Sequence, residues 1–498
     1  MLIYPFWHTE FGLEIQNQQG ENIRILVDTW LSDYVFGDLM ERNPRISLED
    51  EKMASLDVVF ISHSHSDHFD PYTLIQLFEK WNPLVLIPET LGYMVSVIAQ
   101  YIPKAKIQLL RHREIFTHRG IDFQGICFDN ESITNEDDVM TLAISNHEEL
   151  LFAEIDTLIP KTEEAYEMLY RLFVRKSYAR VTYLSSRNEL GANLPILDIS
   201  TDKERQKFRK QYRSSRKKEL EWDYVCLVSG EYTDFTQVPN FARGYIGQGM
   251  CYPSRLDPVL SQTTAMKLSE IAELENSIAQ KYGKDFPSSI LTAGSVFETT
   301  NIGLKPTQAP TFLWKIDTRH ISPMSPARGR IYATGPLRDE VRDPLMQEKL
   351  LLHILNNRFL PSAFSNPDDN LKTAILRIPD RVYRIALRFG THENSQTRIY
   401  SFSFWDVEFY RETTAESIEG KCICQEDYWM NDLEDFWNGT QELYSNFFHV
   451  LDPKRTYRLW NMLGANFFNH DIVKRKYEYH FVQACVGKTV NDFVGGLI

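Results

Sequence analysis

Residues 56–70 read LDVVFISHSHSDHFD. An apolar run suited to a buried strand leads straight into a segment carrying His63, His65, Asp67 and His68, and then into Asp70 and Pro71, a cap and first residue for a helix. Strand, ligand-rich loop and helix in immediate succession constrain the chain to a layered α/β domain. The loop then sits at a strand end, where sites on rigid scaffolds lie.

Imidazole and carboxylate together suit zinc, iron or manganese. Alternate residues of an extended loop project toward a common point, so His63 and His65 can share one divalent ion. Asp67 and His68, rotated away by the intervening turn, can hold a second. One ion or a pair would lower the pKa of a water toward neutrality and polarise a substrate oxygen.

The flanking sequence supports the layered reading. Residues 1–31 alternate short apolar runs around the turn NQQGEN, which predicts a hairpin with Asp28 closing the strand IRILVDTWL. After the histidine loop, Leu74, Leu77, Phe78 and Trp81 recur at helical spacing. LVLIPE and KIQLL read as strands around a helix, LGYMVSVIAQYI. VMTLAIS and LLFAEID read as a hairpin closed by NHEE, DYVCLVSGEYTDF as a core strand, and SSILTAGSVFE as the last strand of the first domain.

With 498 residues, the chain exceeds one ordinary core. Rising Pro, Thr, Ser and Arg content around 302–330 places a boundary there. Residues 1–325 form the α/β domain, interrupted by an inserted charged segment at about 157–222, and residues 326–498 form a C-terminal α+β domain. In the latter, LKTAILRIPDRVYRIALRF and TRIYSFSFWDVEFYRE read as long antiparallel strands. Leu433, Phe436, Trp437, Tyr444, Phe447, Phe448 and Leu451 form an aromatic helical stripe that reads as core.

A formal charge of −14 argues against nucleic acid or a membrane surface as partner of the whole protein. One stretch opposes that balance: KERQKFRKQYRSSRKK, residues 203–218, carries nine basic side chains against one acid. It reads as a solvated helix face, or as a clamp for an anionic small-molecule substrate or a polyanionic partner. The N-terminus has no leader pattern and no stretch is apolar for about eighteen residues, which predicts a cytoplasmic protein. The six cysteines follow neither a zinc-knuckle nor a disulfide spacing.

The H-x-H-x-D-H pattern in SHSHSDH, preceded by ILVDTWL and followed by LLFAEIDT, resembles the metallo-β-lactamase fold superfamily. More narrowly, VDTWL, ISHSHSDHFDPYTLIQLFEKWNP and AGSVFE are similar to the metal domain of CMP-N-acetylneuraminate hydroxylases. The resemblance implies an αβ/βα sandwich with its site at one edge. It also implies His63 and His65 on a first metal, Asp67 and His68 on a second, Asp156 as bridging carboxylate, and Asp28 as a support behind the histidine loop.

The chain departs from that pattern at two ligand positions. Ahead of the hairpin, where a third histidine is expected, stands ESITNEDD; after ILTAGSVFE stand Thr299, Thr300 and Asn301. His147 in the hairpin turn, or His320 by a longer excursion, are candidates to complete the set. Glu131, Glu136, Glu231 and Glu298 are candidate carboxylate replacements that would favour iron or manganese. No Rieske Cys/His pairs occur, so an oxidation would draw electrons from an external reductase. Three readings follow: a metal-dependent hydrolase with Asp67 catalytic, an iron-dependent oxygenase, or a scaffold with a degenerate metal site.

Overall fold

The computed structural model describes residues 1–32, 55–128, 139–157, 162–187, 238–247, 287–308, 338–365, 380–412, 426–438 and 470–485, with short segments and single positions between them. Fifteen of its strands make two facing sheets. In chain order they are β1 (Leu2–Trp7), β2 (Glu10–Gln16), β3 (Asn22–Val27), β4 (Val58–Phe60), β5 (Leu84–Pro88), β6 (Lys106–Leu110), β7 (Ile115–His118) and β8 (Ile121–Ile126). There follow β9 (Thr141–Ser145), β10 (Glu149–Ala153), β11 (Arg180–Arg187), β12 (Phe241–Gly247), β13 (Ser288–Leu291), β14 (Val296–Thr300) and β15 (Gly303–Thr307). The first sheet runs β15-β14-β1-β2-β3-β4-β5-β6 and the second β7-β8-β9-β10-β11-β12-β13.

Alternation along each strand sorts side chains between three layers. Val58 and Phe60 point inward to meet Phe123, Leu142, Leu151 and Ala153 of the second sheet. Their neighbours Val59 and Ile61 point outward, onto Leu74 and Leu77 of α1 (Pro71–Lys80) and Val97 and Ile98 of α2 (Val95–Tyr101). On the far side, Phe152, Tyr183 and Phe241 pack against Leu169, Leu172 and Phe173 of α3 (Glu163–Val174). Helices, sheet, sheet, helix: this is the αβ/βα sandwich of the metallo-β-lactamase type.

Several sequence expectations change. LGYMVSVIAQYI starts as a 3-10 turn and becomes α-helical only at Val95. SSILTAGSVFE is two strands rather than one: β13 completes the second sheet, a turn crosses the edge, and β14 pairs with β1 in the first. DYVCLVSGEYTDF lies almost wholly outside the described residues, and the core strand near it is β12, FARGYIG, parallel to β11.

A third sheet belongs to the C-terminal part, centred on β16 (Val382–Gly390) and β17 (Ser395–Ser403), an antiparallel pair with α4 (Pro344–Ile354) and α5 (Met430–Trp437) nearby. Ile196–Leu197 pairs with His449–Val450 at this sheet's edge. The stretch 157–222, expected as an insertion, supplies α3 and the central strand β11 to the sandwich itself. α6 (His470–Cys485) packs on α1 and α2 of the sandwich through Val473, Tyr477 and Phe481. The expected boundary at 325 and most of the basic stretch fall outside the described residues. Among the described residues no helix is long and apolar enough to cross a membrane.

Candidate metal centre

β1 and β3 both run antiparallel to β2, and β4 runs parallel to β3, so these three strands end at one edge of the first sheet. Their ends deliver the turn His8–Thr9, Asp28, and the loop 61–70. Across the sandwich, β10 delivers Asp156 to the same edge. The Met140 amide donates to the Ser62 carbonyl at 3.2 Å, tying the two layers together beside the loop.

Asp28 organises the histidine loop. Its amide donates to Phe60 O at 2.8 Å, and its carboxylate accepts from the Ser62 amide at 2.8 Å and the Ser62 hydroxyl at 3.0 Å. The same carboxylate meets His68 Nδ1 at 2.8 Å, which turns His68 Nε2 toward Asp156, 2.9 Å away. Thr29 braces the loop's end: its amide donates to His68 O at 2.9 Å, and its hydroxyl accepts from the Asp70 amide at 3.0 Å. Asp70 then caps α1. The segment VDTWL thus supports the loop through two adjacent side chains.

The structure adds a histidine that sequence reasoning missed. His8 Nε2 lies 2.6 Å from Asp67 Oδ2, both residues buried. His8 and Thr9 form the two-residue turn between β1 and β2 with φ of 55° and 64°. That left-handed pair is the geometry for which Asn-Gly is preferred, and β-branched Thr does not adopt it without strain. The His8 amide donates to Gly247 O at 2.7 Å, anchoring the turn to the end of β12.

The donors fall into two groups whose ligand atoms lie within 4.8 Å of one another: His8, Asp67 and His68; and His63, His68 and Asp156. His68 belongs to both. The expected pairing of His63 with His65 gives way to His63 with His68, whose ring centroids are 4.1 Å apart. His65 stands 4.5 Å from His63, ring to ring, but belongs to neither group.

Of the other candidates, the two among the described residues lie away from the centre. His147 sits in the hairpin turn, 46% exposed and 3.6 Å from Glu148, because the β9–β10 turn lies at the opposite end of β10 from Asp156. Glu298 is an exposed residue of β14, in register with Lys305 of β15. Glu131, Glu136, Glu231 and His320 lie outside the described residues.

Burial alone would raise the Asp67 carboxyl and depress His68. The neighbours reverse both: His68 and His8 hold Asp67 well below the usual carboxylate range, and Asp156, Asp28 and Asp67 hold His68 well above the usual imidazole range. His63 is pushed down by burial and by the other imidazoles, so it is neutral, the form that ligates. Behind the cluster a second charged pair is sealed in: Arg42 Nη1 meets Glu10 Oε2 at 2.5 Å, with both side chains inaccessible.

The donor set suits a divalent cation. His63 Nε2, His8 Nδ1 and Asp67 Oδ1 are buried and have no hydrogen-bond partner among the described residues. Orphaned nitrogen and oxygen acceptors of this kind are costly unless something coordinates them. Imidazoles with two carboxylates match zinc, iron or manganese.

No protein-family model matches the sequence, and no curated protein does. Solved structures of the metallo-β-lactamase fold do. CmlA, a diiron β-hydroxylase from Streptomyces venezuelae, is 13% identical with a TM-score of 0.33, over 59% of this chain and 53% of CmlA. The chain thus spans about half of that protein's length. The metallo-β-lactamase fold protein YhfI from Bacillus subtilis is 7% identical with a TM-score of 0.30, over 60% of this chain and 98% of YhfI. A metallo-β-lactamase from Cronobacter sakazakii is 10% identical with a TM-score of 0.19, over 30% of this chain and 57% of the enzyme.

Proposed function

We propose that this protein is a metal-dependent hydrolase of an anionic small molecule. The observation that carries the reading is the convergence of His8, His63, Asp67, His68 and Asp156 at one edge, with unpartnered ligand atoms on three of them. A divalent cation held there would lower the pKa of a water and polarise a substrate oxygen. The protein's own groups do the rest. Asp28 fixes the orientation of His68, Asp156 contributes a carboxylate from the second sheet, and Asp67, kept ionised by its two imidazoles, would orient the attacking water as a hydrogen-bond acceptor. The basic stretch 203–218 supplies the attraction for an anion.

The test is the metal content of protein purified without added metal, combined with hydrolysis assays on phosphate, sulfate and carboxylic esters. About two zinc or manganese ions per chain and a hydrolytic turnover abolished in Asp67→Ala are expected. Iron with a visible absorption band, and turnover only with oxygen and a reductase, would replace this reading by the oxygenase. Protein free of metal and unable to take it up would leave a silent scaffold.

A further inference from the structure

The metal loop is held from outside the sandwich by a helix that arrives more than four hundred residues later. On α6, Tyr477 Oη donates to the Ser64 carbonyl at 2.6 Å and Lys476 Nζ donates to the same oxygen at 3.2 Å. Ser64 is the residue between His63 and His65. The Tyr477 ring lies on Phe69, with centroids 4.4 Å apart and planes 22° from parallel. A single tyrosine therefore grips the loop on both sides of the ligand cluster: its hydroxyl before Asp67, its ring after His68.

The grip is built into a packed interface. Tyr477 and Phe481 are fully buried and Lys476 is 5% exposed. Phe481 stacks on Tyr101 of α2 with centroids 5.1 Å apart. Placing an ammonium in such surroundings is expensive unless it is hydrogen-bonded, and one of its bonds is to the backbone of the loop. Two donors on one carbonyl fix that peptide plane, and with it the direction in which the residues on either side project.

We infer that α6 is a positioning element of the metal centre, with Tyr477 and Lys476 setting the loop 63–68 through the Ser64 carbonyl, so that cation binding and docking of α6 are thermodynamically coupled. The inference rests on the metal reading above. Coupling is reciprocal: a docked helix tightens cation binding, and a bound cation tightens docking. Supports of this kind alter metal affinity roughly ten- to a hundredfold when removed.

Titration of the full chain with manganese(II) tests this in the wild type, Tyr477→Phe and Lys476→Met. Positioning weakens binding in both variants, by roughly tenfold or more. The lysine variant separates positioning from charge. If Lys476 acted only as a nearby positive charge, its removal would tighten cation binding, and Tyr477→Phe would change nothing; that pattern overturns the inference. Hydrogen exchange of residues 470–485 gives a second readout that needs no variant: manganese should slow it, and unchanged exchange together with unchanged variant affinities overturns the coupling. A wild type that binds neither manganese nor zinc overturns the metal reading, and this inference falls with it; wild-type binding shared equally by both variants overturns this inference alone.

Discussion

His8 and Asp67, fifty-nine positions apart, meet at 2.6 Å with both side chains sealed from solvent. The contact joins the β1–β2 turn to the histidine loop and brings a third strand end into the centre. If His8 is a ligand, His8→Phe should lower zinc affinity at least tenfold, and the loss should appear at one of two binding steps. Competition with a chromophoric chelator measures this. Unchanged affinity at both steps would return His8 to the role of a hydrogen-bonded core residue.

The strain in that turn makes a separate test. Thr9 is buried in a left-handed conformation with an unpartnered hydroxyl. Thr9→Gly removes both costs and leaves every candidate ligand in place. It should raise unfolding stability by about 1 kcal/mol. A lower denaturation midpoint would mean that packing of the threonine methyl outweighs the strain.

Asp28→Asn keeps the volume and the acceptor oxygen but removes the charge that holds His68 Nδ1. Metal affinity should fall by roughly ten- to a hundredfold while the melting temperature stays near that of the wild type. A large stability loss with affinity intact would assign Asp28 to the fold rather than to the centre.

Removing one partner of the Glu10–Arg42 pair is expected to cost more than breaking a surface bridge, because the group left behind stays fully buried. Arg42→Met leaves the buried Glu10 carboxyl without its partner and should cost about 3–5 kcal/mol. Adding Glu10→Gln to that variant should recover part of the loss, and a double-mutant cycle with no coupling would refute the pairing.

The same carboxyl sets a pH dependence. Burial pushes Glu10 well above its ordinary value of 4.5, against the lowering pull of Arg42. A carboxyl raised in the folded state contributes its stability in full below the unfolded value and loses it as pH rises through the folded value. Glu10→Gln should therefore gain on the wild type as pH increases above 4.5. Denaturant midpoints measured across that range check the sign.

The reach of the sequence follows from how local each signal is. The histidine loop, Asp28, Asp156 and the hairpin announce themselves through runs of a few residues, and the structure places them together. His8 stands alone in WHTE, without the Asn or Gly that marks a tight turn, so nothing nearby betrays it. SSILTAGSVFE looked continuous because both halves are apolar enough for a strand. What divides them is the edge of the sandwich, a tertiary fact. Lys476 and Tyr477 are less legible still, since they act on a backbone carbonyl and leave no pattern of spacing.

The Ser64 carbonyl and the two side chains that hold it are separated by 412 and 413 positions. On a ribosome adding about 5–20 residues per second, the histidines precede their outer support by some tens of seconds. Throughout that interval the nascent chain displays ligands without the clasp around them. A metal ion met early would find a loose chelator, and the finished site comes into being only once Tyr477 has been made.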